Sequence, residues 1–127
     1  MPSYVRKITV DCANPYDLAV FWSRVTGGTV DPDDQPGDDG ALLHLPGEGP
    51  DLLFLQVPEG KSAKNRIHFD LGAGTTRDAE VERVLGVGAV LYADFRNEDG
   101  TGFVVLTDPE GNEFCIERSD AEKAAAG

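Results

Sequence analysis

Positive charge is scarce in this chain. Eleven Lys and Arg face 23 Asp and Glu, a formal net charge of −12 at pH 7. Such a surface repels phosphate backbones and anionic lipid, which excludes nucleic acid and membrane surfaces as partners. Long apolar runs are missing too. None approaches the roughly 20 residues of a membrane span, and residues 1–11 have no apolar signal-peptide core, so a cytoplasmic location is expected. Cysteine is nearly absent. Cys12 and Cys115 fit neither a disulfide framework nor a zinc-ligand spacing and read as reduced, buried thiols.

What is present is enough for one core: 127 residues, 40% of them hydrophobic. The most clearly specified stretch is Phe103 to Arg118, FVVLTDPEGNEFCIER. Two β-rich runs flank TDPEGN, where Pro109 fixes φ and Gly111 with Asn112 tolerates a left-handed backbone. This is a hairpin, and a hairpin alone is not stable, so it must belong to a larger sheet. A similar turn, Pro46 to Asp51, lies between ALLHL and LLFLQV. The chain therefore repeats its own punctuation.

Residues 4–12 alternate as a strand. Asn14 then offers an N-cap, Pro15 suits the first helical position, and Leu18, Phe21, Trp22 and Val25 fall on one helical face that Gly27-Gly28 ends. A short strand at 29–31 leads into DPDDQPGDD. Its spacing lacks the glycine and terminal glutamate of an EF-hand loop, so it reads as a solvated acidic loop. A hairpin at 41–57 and a polar linker at 58–65 follow. In RIHFDL, Ile67, Phe69 and Leu71 point one way, His68 and Asp70 the other. Gly72-Ala73-Gly74 lacks the third glycine of a dinucleotide loop. Thr75 or Thr76 caps a second helix over 76–86, a strand follows at 89–95, then the final hairpin, and residues 119–127 read as a polar tail.

The order is strand, helix, three strands, given twice. The expected class is α+β: a single domain of two βαβββ modules, about 4–58 and 65–118, pairing to enclose a cleft. With ITVDCANPYDLAVFW at the front, NRIHFDL in the middle and VLTDPEGNEFCIE at the end, the chain resembles the vicinal oxygen chelate superfamily, and within it the glyoxalase-like domain proteins. That superfamily includes glyoxalase I, extradiol dioxygenases, epimerases, fosfomycin-modifying enzymes and metal-free bleomycin-binding proteins, so the resemblance implies a fold more sharply than a function.

In metal-dependent relatives, the first and last strand of each half supply His or Glu ligands. Laid on this chain, the pattern places Lys7, then Phe54 or Gln56, then His68, then Cys115 with Glu117 two residues later. His68 alone retains the family type. A lysine has no lone pair to give when protonated, and Cys115 is a soft donor among hard ones. The resemblance implies a divalent metal, but these residues argue against it, so no cofactor is expected, a divalent metal being the alternative with His68, Gln56 and Glu117 as its ligands. Lys7, Phe54, Gln56, His68, Asp70, Cys115 and Glu117 are the expected ligand-binding residues. His68 is the candidate general base, and Lys7 the expected ion-pair partner of Glu117 or Asp70.

Three functions compete: a metal-free small-molecule-binding protein of the resistance or sequestration type; a metal-dependent lyase, isomerase or dioxygenase; and a dimeric interaction module with a closed cleft. The altered ligand positions favour them in that order. The resemblance also implies a homodimer, because strands at the sheet edges would otherwise be left unpaired.

Overall fold

Pro15 opens the first helix, α1 (Pro15–Thr26), and Gly27 closes it with φ 78°, a left-handed turn that glycine takes without steric cost. The expected cap at Asn14 is corrected: its side chain makes no capping bond, and Pro15 instead removes one of the orphan amides that would need it. These features belong to a computed structural model that describes residues 1–126 and divides the chain into two units, Met1–Lys61 and the residues from Ser62 on.

In the first unit, β1 (Lys7–Cys12), β4 (Asp51–Gln56), β3 (Gly40–His44) and β2 (Thr29–Val30) form a sheet in that order. β1 runs parallel to β4 and the other pairs are antiparallel. Helix α1 packs on β3 and β4. Leu18, Phe21, Trp22 and Val25 are buried, as are Ala41, Leu43, Leu52 and Phe54 on the sheet. Phe21 and Trp22 meet edge to face with centroids 5.3 Å apart.

The acidic stretch after β2 is more ordered than its composition suggests. Asp31, Asp34 and Asp38 each accept a backbone amide, from Asp33, Leu42 and Gln35 respectively. His44 joins this loop to the sheet. Its Nε2 lies 2.9 Å from Asp31 and its Nδ1 3.2 Å from Asp51. Both carboxylates favour the imidazolium, Asp31 most, so the His44 pKa rises above 6.5 while that of Asp31 falls below 3.8. A raised histidine pKa stabilises most below 6.5 and loses that contribution as pH climbs through the folded-state value. The depressed Asp31 acts in reverse, losing its contribution as pH falls below 3.8. The melting-temperature difference between the wild type and His44→Gln is therefore expected to peak in weakly acidic buffer and shrink on both sides. A flat difference across the range would refute the bridge.

The second unit repeats the pattern. β5 (Phe69–Gly72), β8 (Glu113–Glu117), β7 (Val104–Thr107) and β6 (Val90–Asp94) form a sheet in that order, with β5 parallel to β8. β5 begins later than the alternation of RIHFDL predicts. The amide of Asn65 is held by the Glu113 carboxylate at 3.0 Å, a side-chain tether in place of a ladder bond. Helix α2 (Arg77–Gly86) is capped by Thr76, whose hydroxyl accepts the Ala79 amide, and lays Val81 and Val84 toward Phe114 and Ile116, all essentially buried. The hairpin between β7 and β8 turns on Asp108. This buried carboxylate accepts the amides of Glu110 and Asn112, and Gly111 sits at φ 88°.

The C-terminal segment differs from expectation. The residues read as a polar tail carry a third helix, α3 (Asp120–Ala125), set by a capping box: Ser119 accepts the Glu122 amide and the Glu122 carboxylate accepts that of Ser119. The last residue, 127, lies outside the described residues. Beyond β6 and β7 the hairpin continues through Phe95 and Phe103, whose backbones pair at 2.9 Å, to a tight turn closed at Gly100. Gly102 stands at φ 94°, and a Cβ there would run into the Phe95 carbonyl oxygen. Gly102→Ala is expected to cost about 3 kcal/mol in urea unfolding and to break the Phe95–Phe103 pairing, visible as lost amide protection at Phe95.

Candidate functional site

Side chains on a strand alternate between faces, so register decides which residues can meet. In the second unit Asp70 lies opposite Cys115 and Gly72 opposite Glu117. Phe114 and Ile116 fill the core on the helix side, which leaves Cys115 and Glu117 on the other face with Asp70. That face borders a pocket of about 640 Å³ whose lining lies entirely within the second unit. Phe95, Phe103 and Val105 form its apolar side, and His68, Asp70, Cys115 and Glu117 lie among its polar groups.

Four of the sequence-predicted residues are thus brought together. Three are not. Phe54 is a correction: it is fully buried in the first unit's core and offers nothing to a ligand. Gln56 shares the parity of Leu52 and Phe54, the face toward α1, and its amide donates to the Ala13 carbonyl at 3.1 Å. The sequence equates Gln56 with Glu117, but the buried pairs Leu52, Phe54 and Phe114, Ile116 align the sheets so that Leu55 corresponds to Glu117. The expected alignment is one residue out, and one residue turns every side chain over. Lys7 stands exposed on β1 opposite Asp51. The expected ion pairs are corrected as well: Glu117 meets Lys123 of α3 at 3.4 Å, and Asp70 meets His68 at 3.7 Å.

Lys64, Arg118 and Lys123 also line the pocket, and no reading of the strands finds them. They come from the linker, the residue just past β8 and α3, where strand alternation carries no information. The capping-box spacing Ser119–Glu122 is the one available signal for α3.

The chemistry of Cys115 limits what the site can do. Burial, the charge of Asp70 and hydrogen bonding with it, and the charge of Glu117 push the thiol up to about 11, against a smaller opposing pull from Lys64. A thiol protonated at neutral pH is neither an activated nucleophile nor a ready metal ligand. The His68 Nδ1 to Asp70 Oδ1 distance of 3.7 Å is too long for the hydrogen bond that would fix the imidazole as a general base. One donor atom each from His68, Asp70 and Cys115 lies within 4.8 Å of the others, close enough to gather around an ion. The donor chemistry does not suit a hard divalent ion, however. The thiol is a soft donor, and only an imidazole and one carboxylate remain in that group, fewer than magnesium or manganese accepts from a protein without many waters.

Each unit is a βαβββ module with a four-stranded mixed sheet, and the fold is that of solved structures in the glyoxalase/bleomycin resistance/dioxygenase group. A family model described as the glyoxalase-like domain matches residues 7–117, and the chain belongs to that family. Among solved structures, a glyoxalase/bleomycin resistance protein/dioxygenase family enzyme from Burkholderia phytofirmans is similar, with TM-score 0.71 and 17% identity over 90% of this chain and 97% of that one. A mutant of the fosfomycin resistance protein FosX from Listeria monocytogenes, in complex with Mn(II) and 1S,2S-dihydroxypropylphosphonic acid, has TM-score 0.70 and 13% identity, covering 97% and 95%. A possible glyoxalase from Bacillus cereus has TM-score 0.66 and 13% identity, covering 91% and 99%. At these identities the likeness is one of fold. No curated protein sequence matches significantly. Among the described residues, no helix is long and apolar enough to cross a membrane.

Proposed function

We propose that this protein binds a small organic molecule in the pocket of its second unit, without a resident divalent metal, and that it acts in the cytoplasm as a homodimer. The observation that carries this reading is the pocket itself. Its volume of about 640 Å³ suits a small molecule, and it joins an apolar wall of Phe95, Phe103 and Val105 to charged and polar side chains that can orient one. The donor set supports binding without metal: a soft thiol beside one imidazole and one carboxylate is a poor cage for a hard divalent ion.

A metal-dependent reaction is the second reading, favoured by the approach of His68, Asp70 and Cys115 to one another. Protein purified without chelator separates the two. Elemental analysis is expected to give well under one metal per chain, and thermal-shift hits from a small-molecule library are expected to persist in EDTA. Stoichiometric zinc, iron, nickel or manganese that disappears in His68→Ala would establish the metal-dependent reading instead. Sedimentation of a clean monomer at micromolar concentration would remove the homodimer.

A further inference from the structure

Resting on that reading of the pocket, we infer that its ligand is an organic carboxylate with a flat apolar body, and that Lys64 and Arg118 hold the carboxylate. In a chain of net charge −12, the pocket lining is balanced: Lys64, Arg118 and Lys123 against Asp70, Glu113 and Glu117. The two signs differ in what they already hold. Glu113 accepts the Asn65 amide at 3.0 Å, Glu117 meets Lys123, and Asp70 lies between His68 and Cys115. Lys64 and Arg118 make no ion pair or hydrogen bond among the described residues, acting on Cys115 and Asp99 only through space.

A ligand gains most from the groups it newly satisfies. An ammonium would meet carboxylates already engaged and two unneutralised cations. A carboxylate would meet an arginine fork, which matches its two oxygens, and a lysine point charge. The other wall fixes the remainder of the molecule. Phe95 and Phe103, 52% and 39% exposed, stand with centroids 5.2 Å apart. Covering two rings gains apolar burial and an edge or face for stacking. The Gly102 turn and Arg77, whose Nη1 donates to the carbonyls of Gly100, Thr101 and Gly102, hold that wall in place.

Calorimetric titration of the full chain with 2-naphthoate, 2-naphthamide and 2-naphthylmethylamine tests this, because the three share one body and differ in charge. At low salt the acid is expected to bind about tenfold tighter than the amide and the amine weakest, the margin narrowing as salt rises. In the double variant Lys64→Gln, Arg118→Gln, the acid is expected to fall to the level of the amide while the amide is unchanged, which a general loss of structure would not produce. Phe103→Ala should weaken acid and amide alike. If the amide or amine binds as well as the acid, or the double variant leaves the acid's advantage intact, the carboxylate assignment is overturned while the pocket remains a binding site. If none of the three binds, the small-molecule reading falls, and this inference with it.

Discussion

Native protein treated with iodoacetamide at about pH 8 is expected to lose its thiols very slowly, with a rate that keeps climbing to a midpoint near 11. Cys12 is buried at 5% exposure, so Cys115 is the thiol the reagent can reach. At about pH 8, a thiol at its ordinary value of 9.0 is about 10% ionised and one raised to about 11 about 0.1%, a difference of about a hundredfold in thiolate. Burial is the largest cause of the shift, and Asp70 contributes both its charge and its hydrogen bond. Asp70→Asn removes the charge and should speed alkylation several-fold at the same pH, whereas Glu117→Gln, whose influence is smaller, should give a lesser gain. Mass spectrometry of the labelled peptide follows both. Rapid labelling of the wild-type thiol at neutral pH would contradict the site as described and reopen a nucleophilic or metal-bound cysteine.

Removing the Arg77 side chain should cost the second unit heavily. Its guanidinium is nearly buried, its Nη1 serves three backbone carbonyls, and its Nε lies 3.0 Å from Asp78. Arg77→Met leaves those carbonyls without their donor and Asp78 with only Arg96, at an expected cost of about 3 kcal/mol in urea unfolding. Arg77→Lys should recover part of this, since an ammonium can reach carbonyls but cannot also bond Asp78 in the guanidinium plane. Arg96 and then Arg77 hold Asp78 below its ordinary 3.8, so this network stabilises above that value and weakens as pH falls through the lower folded-state one. A variant as stable as the wild type would show that water replaces the guanidinium at no cost.

The two modules were legible in the sequence because local signals agreed. Pro15 and Gly27 bounded a helix whose apolar face was regular, and Asp108 to Asn112 fixed a turn between alternating runs. The placement of Asp70, Cys115 and Glu117 on one face followed from counting along strands. Counting does not reveal the one-residue offset between Gln56 and Glu117, because loops of unequal shape hide it and only core packing shows it. Lys64, Arg118 and Lys123 were beyond reach for a different reason. Each lies outside the strands in a segment with no periodicity, and only the folded chain sets them around one pocket.

The register break in β6, between Leu91 and Ala93, bears on how the protein stays dispersed. This outermost strand shows solvent Val90, Leu91 and Tyr92 at 61%, 48% and 67% exposure. Straight and flat, such a strand would be a template on which a neighbouring molecule could add its own backbone, the first step toward a fibril. The extra residue bends the strand and tightens its coil, so that a straight intruder cannot keep pace with it for more than a bond or two. Deleting Tyr92 to restore an even ladder should therefore show itself in the test tube as turbidity on concentration.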